Sequence, residues 1–400
     1  MDGFELDTSP IYYKTSTPDT TSAISCFGQD SHQLVDTDNS TGTPTPPSCV
    51  FLKFVVMTVK VAAAVVVCLI GWAYVAILKP PPTKVCGTPG GPPVTSPRVR
   101  LSDGRHLAYK EAGVPKEDAK YKVIIMHGYA GSKDFNLICS QELIDDLKIY
   151  ILSFDRAGYG ESDPHPKRSV KSEAFDIQEL ADVLQIGNKF YVIGISMGGY
   201  SAWSCLKYIP HRLAGAALVV PVANCWWPSV PPTLSKETLS SLPLQDQWAV
   251  RVAHYTPWLF YWWLTQKWFP SFSILEPNSP LFSGSDAKTF EKLMTIRGPL
   301  QDVSQKTRQQ GDYESLVRDL ITVFGKWEFD PTEVANPFPN NEGSVHIWQG
   351  LEDKIIPYKL NRHISEKLPW VRYHEIADIG HLLPFKGNYS DVIMRELVVG

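Results

Sequence analysis

From about Arg98 onward, short apolar runs recur between clusters of glycine, proline and aspartate: Lys122–Met126, Ile149–Phe154, Phe190–Ile193, Ala216–Val220, Val345–Trp348 and Val371–Ala377. Runs of this length bounded by turn residues read as strands. Lys122–Met126 has the pattern of a buried one, and Tyr200–Tyr208 follows its strand with helical spacing. The interval from Val220 to Val345 is far too long for a simple crossover. Helical patterning around Gln245–Phe269 and Asp286–Met294 makes it an inserted cap at about 226–335.

The first hundred residues follow other rules. Residues 1–50 are rich in Ser, Thr, Asp and Pro, with Lys14 as the only basic side chain, which predicts a disordered tail. A membrane-spanning helix is expected over 54–78. From Val61 to Leu78 no residue is charged, roughly 27 Å of helix at ~1.5 Å per residue. A buried core helix would show polar positions every third or fourth residue, and this segment does not. Starting fifty residues in, it is not a signal peptide. The short span suits the endoplasmic reticulum. Lys79, Lys84, Arg98 and Arg100 outnumber Lys53 and Lys60 on the other flank, favouring a cytosolic C-terminal domain. Residues 79–97, where Pro and Gly cluster, read as a semi-rigid linker crossed by few contacts.

The chemistry starts at Gly194-Ile195-Ser196-Met197-Gly198-Gly199, directly after Phe190–Ile193. A serine on a tight strand-to-helix turn is held with its hydroxyl exposed, and the N-terminus of the new helix faces any oxyanion forming there. Two partners for Ser196 follow in the chain. Asp353 lies just past the strand ending near Trp348, and His381 follows the last strand in Asp378-Ile379-Gly380-His381. Glu352 and Asp378 are rivals for the acid; Asp353 stands a short, fixed reach from its strand, whereas Asp378 is placed to cap its own loop. His127-Gly128-Tyr129 ends the strand Lys122–Met126. Its histidine reads as structural, and the backbone N–H groups of Tyr129 and Met197 as oxyanion donors.

Taken in order, H-G-Y at 127–129, D-R-A-G-Y-G-E-S-D at 155–163, the serine turn at 194–199, G-L-E-D-K-I-I-P at 350–357 and G-H at 380–381 resemble the α/β-hydrolase superfamily. The likeness is to its single-domain esterases and lipases, in particular to plant membrane-anchored members, and it covers about Arg98 to Gly400. It implies an α/β fold: a mostly parallel eight-stranded sheet with helices on both faces. It also implies Ser196 as nucleophile, His381 as general base and Asp353 as the residue that orients the imidazole. The expectation is a membrane-anchored serine hydrolase of a lipophilic carboxylic ester. The same fold also hosts acyltransferases and slow-turnover ligand receptors, which stand as alternatives.

Other chemistries find no support in the sequence. Asp155–Asp163 carries Gly158 and Gly160, but position 163 is Asp, and Pro164 and Pro166 block the helix that a dinucleotide loop requires. The seven cysteines form no C-x-x-C pair, so neither a metal site nor a cofactor is expected. The formal charge of −4 shows no basic stripe for nucleic acid. Eight of the twelve tryptophans (226, 227, 248, 258, 262, 263, 268 and 327) fall in the cap region. Adjacent aromatics on a helix cannot all point inward. Trp226, Trp227, Trp262 and Trp263 are therefore candidates to line an apolar substrate pocket or to rest at a membrane interface.

Overall fold

The computed structural model describes residues 49–134, 137–275, 280–282, 284–297 and 300–400. The tail expected to be disordered lies outside these residues, apart from its last two positions. The chain divides into two compact units, Met1–Val65 and Val66–Gly400. Helix α1 (Cys49–Leu78) begins in the first and ends in the second. Its stretch Lys53–Leu78, 26 residues, is long and apolar enough to cross a membrane.

In the second unit β1 (Arg98–Arg100), β2 (His106–Gly113), β3 (Tyr121–Met126), β4 (Ile149–Phe154), β5 (Phe190–Ile195), β6 (Leu213–Val219), β7 (Val345–Gly350) and β8 (Val371–Ile376) form one sheet. Its order is β1-β2-β4-β3-β5-β6-β7-β8. Only the pairings of β2, with β1 and β4, are antiparallel; the others are parallel. The helices are α2 (Gln141–Leu147), α3 (Val170–Val183), α4 (Gly198–Tyr208), α5 (Pro232–Ser241), α6 (Leu244–Tyr255), α7 (Pro257–Thr265), α8 (Ser285–Arg297), α9 (Leu300–Thr307), α10 (Arg318–Phe324), α11 (Tyr358–Lys367) and α12 (Tyr389–Val399). The near-continuous apolar runs of β3 to β7 follow from burial on both faces. Successive side chains alternate: Val123 and Ile125 join the core beneath α2 and α12, while Ile124 and Met126 join the larger core with α3, α4 and α11.

Helices α5 to α10 are all inserted between β6 and β7, as expected of a cap. The helical patterning around Gln245–Phe269 resolves into two helices, broken between Tyr255 and Pro257. Proline cannot continue a helix from inside, because it lacks the N–H and crowds the preceding turn, yet it suits the first turn of the next.

The linker expected to be crossed by few contacts is anchored from Lys84 onward. The Lys84 N–H donates to the Gln310 carbonyl at 3.1 Å, Cys86 is buried, and the Cys86 N–H donates to Gln310 Oε1 at 3.1 Å. Thr95 and Ser96 each donate backbone N–H and hydroxyl to the Glu161 carboxylate. Burial alone would raise the Glu161 carboxyl, and these four hydrogen bonds instead hold it down at about 2. Pro and Gly stiffen or loosen a backbone but leave its polar groups to find partners, and a buried carboxylate in the domain supplies them.

Candidate active site

Strand β5 delivers Ser196 onto a turn so tight that its φ is +53°. Glycine is required on both sides by close approach. A Cβ on Gly194 would lie 2.4 Å from the Gly198 carbonyl oxygen, and one on Gly198 would lie 2.3 Å from that of Met126. The strained serine is held by its neighbours. Its N–H donates to Val219 at 2.8 Å, and its carbonyl accepts from Gly199 and Val222 at 2.9 and 3.0 Å. Helix α4 then opens at Gly198.

His381, on the loop between β8 and α12, lies with Nε2 2.9 Å from Ser196 Oγ and Nδ1 2.8 Å from Asp353 Oδ2. An ionised carboxylate only accepts, so Nδ1 carries the proton and Nε2 takes the serine hydroxyl hydrogen bond. Asp353 is fixed in turn: Oδ1 accepts the N–H groups of Ile355 and Ile356 at 2.9 and 2.8 Å, and Gln349 Nε2 donates to Oδ2 at 3.2 Å. Glu352 and Asp378 are both exposed. Burial opposes a charge on His381, but the Asp353 carboxylate outweighs it, with Asp286 adding to the effect, so the imidazole titrates above its ordinary value.

The loop after β3 lies against this turn, since a Cβ on Gly128 would come 3.1 Å from Ser196 Cβ. Among the described residues neither the Tyr129 nor the Met197 backbone N–H finds an acceptor, and both residues line the same cavity as Ser196. His127 is fully buried. The Arg156 N–H donates to its Nε2 at 3.0 Å, so Nδ1 is the protonated nitrogen and bonds the Gly128 carbonyl at 2.8 Å. Burial and the Arg156 charge push its pKa well down and keep it neutral.

One supporting cluster has no clear signal in the sequence. Arg156 donates Nε to the His127 carbonyl at 3.1 Å and both Nη groups to Asp319, on α10, at 2.6 Å. Arg168 joins Asp319 at 3.0 Å and Glu173 at 2.6 Å, and all four side chains are buried. The cap is thus bonded to the loop behind the cavity. Asp-Arg after a strand was visible in the chain, but its partner lies 163 residues away.

The cavity beside Ser196 measures about 70 Å³ and is lined by Tyr129, Val222, Leu242, Val250, Phe272, Leu320, Phe324 and Ile355 among others, with Asp246 as its charged member. None of the four tryptophan candidates lines it. Trp227 is buried edge-to-face against Trp327. Trp226 stacks on His254 and bonds the Tyr255 hydroxyl. Trp262 meets Trp268 and Phe269, and Trp263 donates to the Ser271 carbonyl. Indoles carry an N–H that seeks a partner, and here they pack the cap itself. Branched and aromatic residues of α6, α10 and the loops line the pocket instead. Among the described residues no group of three or more His, Cys, Asp or Glu side chains is placed to hold a metal ion.

Comparison with known proteins bears on the fold. Residues 121–387 match the family model described as alpha/beta hydrolase fold. A protein of Bacillus subtilis (strain 168), provisionally named 2-succinyl-6-hydroxy-2,4-cyclohexadiene-1-carboxylate synthase, is 32% identical over 123 residues, which is 30% of this chain and 42% of that one. The chain therefore matches less than half the length of that relative. An alpha/beta hydrolase fold protein from Chitinophaga pinensis is 16% identical with a TM-score of 0.51, covering 75% of this chain and 94% of its own. An esterase from Exiguobacterium antarcticum is likewise 16% identical with a TM-score of 0.48, over 76% of this chain and 99% of its own. The structural likeness extends to the fold alone. With two thirds of its length matched by the family model and its strands in this order, the chain belongs to the α/β hydrolase fold family.

Proposed function

We propose that the protein is a serine hydrolase that cleaves a carboxylic ester with a short apolar group. The observation that carries this reading is the unbroken line Ser196–His381–Asp353, at 2.9 and 2.8 Å, opening on an apolar cavity. Ser196 Oγ attacks the ester carbonyl as His381 Nε2 takes its proton. Asp353 holds the ring and stabilises the imidazolium. The carbonyl oxygen, now negative, is received by the N–H groups of Tyr129 and Met197, each such donor contributing ~3–4 kcal/mol. Collapse expels the alcohol, protonated by His381, and leaves an acyl group on Ser196. Water, activated by the same histidine, releases the acid.

The cavity volume refines the substrate. At ~10–15 Å³ per water-sized group, about 70 Å³ takes roughly five or six carbon-sized groups. That suits a short or medium chain within the enclosed part of the cavity. The same reading makes α1 a single-pass anchor. Its support is the length of Lys53–Leu78 and the exposure of Phe54, Val67 and Trp72 along it. The basic residues that follow it favour a catalytic unit on the cytosolic side, and the short span suits the endoplasmic reticulum. The test is hydrolysis of a series of p-nitrophenyl esters by full-length protein, with carbonate extraction of its membranes. Absence of turnover across the series rejects the hydrolase, and release into the carbonate supernatant rejects the anchor.

A further inference from the structure

A second carboxylate reaches His381, and it comes from the cap. Asp286 lies in the first turn of α8 and is buried. Its Oδ1 accepts the Leu382 N–H at 3.2 Å; burial raises the carboxyl above its ordinary value, and the Leu382 and His381 backbone N–H groups work against that rise. The group rests directly on Gly380, where a Cβ would lie 2.3 Å from Oδ2, 2.7 Å from Cγ and 2.9 Å from Oδ1. Gly380 is absent from the positive-φ residues, so it is the close approach that calls for glycine here. A buried carboxylate is costly unless it is hydrogen-bonded, and Asp286 meets that need on the backbone of the histidine loop.

We infer that Asp286 is a positioning residue for His381. From the cap it pins the backbone of the histidine loop, and its negative charge, when present, favours the imidazolium alongside that of Asp353. This rests on the reading of Ser196 and His381 as nucleophile and base. The groups that face the imidazole are then Asp353 from the loop after β7, Ser196 from the turn after β5 and Asp286 from α8. Two carboxylates from two separate elements thus bear on the base, one of them supplied by the cap.

The test compares full-length wild type with Asp286→Asn, Asp286→Ala and Gly380→Ala, using p-nitrophenyl butyrate. It reads kcat, KM and the pH profile of kcat/KM, with melting temperature measured in parallel. Asp286→Asn keeps the shape and one acceptor oxygen but removes the charge. Its acidic limb is expected to move down by ~0.5 unit or more, because the imidazolium loses a neighbouring anion, with kcat lowered about tenfold and KM little changed. Gly380→Ala should lower kcat similarly by displacing the carboxylate. A folded Asp286→Asn enzyme whose acidic limb coincides with wild type overturns the inference, whatever its kcat. If Asp286→Ala fails to fold, the Asn variant still decides. An active Ser196→Ala enzyme would instead remove the underlying reading, so the two failures are distinguishable.

Discussion

Asp319 allows a quantitative test of how the cap is held. Its carboxylate is buried and accepts five hydrogen bonds: two from Arg156 at 2.6 Å, one from Arg168 at 3.0 Å, and the hydroxyls of Tyr159 and Tyr200 at 2.7 and 2.9 Å. With Glu173 it balances two buried guanidinium groups. Asp319→Asn leaves one buried positive charge uncompensated and turns an acceptor into a donor facing donors. Breaking one side of a buried ion pair costs ~3–5 kcal/mol, against ~0–1 kcal/mol for a half-exposed pair such as Lys110–Asp134. The Asn variant should therefore melt ~5–8 °C lower, while Lys110→Ala stays near wild type. The pH dependence has a definite sign. Burial would raise the Asp319 carboxyl, but Arg156 and Arg168 more than offset it and hold it well below the usual carboxylate range. A depressed carboxyl stabilises above its unfolded pKa, near 4, and that stability is lost as pH falls below it. Urea unfolding at pH 3, 5 and 7 should show a loss at pH 3 that is smaller in the Asn variant. An Asp319→Asn protein within 1 kcal/mol of wild type at pH 7 refutes the reasoning.

Three further outcomes are expected. Because His381 titrates above its ordinary value and works as the neutral base, the acidic limb of kcat/KM should bend above pH ~6.5; a bend clearly below that contradicts the geometry. kcat/KM should rise by up to about fourfold per added methylene, ~0.8 kcal/mol each, then level off near five or six carbons, and Phe324→Ala should carry the rise further while Trp262→Ala does not; a steady fall from acetate onward, or a Trp262→Ala effect equal to that of Phe324→Ala, counts against the cavity as the acyl site. Burial and the neighbouring His374 push His346 down to about 3, so the unfolded chain takes its proton first and stability is lost as pH falls from ~6.5 towards 3; His346→Gln should reduce the loss of urea midpoint between pH 7 and pH 5, and an unchanged loss would mean that other groups carry it.

The strands and the Ser196 turn were legible because their signals are local. Apolar runs such as Ile149–Phe154 give way to turn residues, here Asp155 and then Gly158, and Gly194 and Gly198 are written beside the serine that needs them. The linker was misread because Pro and Gly report on backbone stiffness and say nothing of the carboxylate of Glu161 that draws Thr95 and Ser96 inward. The tryptophan pairs were misread for a similar reason: abundance in the cap marks aromatic packing, while the cavity wall depends on which face of α6 and α10 turns inward. Asp319 and Asp286 were invisible as single acids on cap helices, since each acquires its role only when a distant loop folds against it.

The most direct measurement is fluorophosphonate labelling of the full-length protein, followed by mass mapping of the adduct and assay of Ser196→Ala. A single adduct on the peptide carrying Ser196 is expected, lost in the Ala variant together with about six orders of magnitude in kcat. An adduct on another residue, or an Ala variant that keeps more than a few per cent of its esterase activity, contradicts the assignment of Ser196 as the nucleophile.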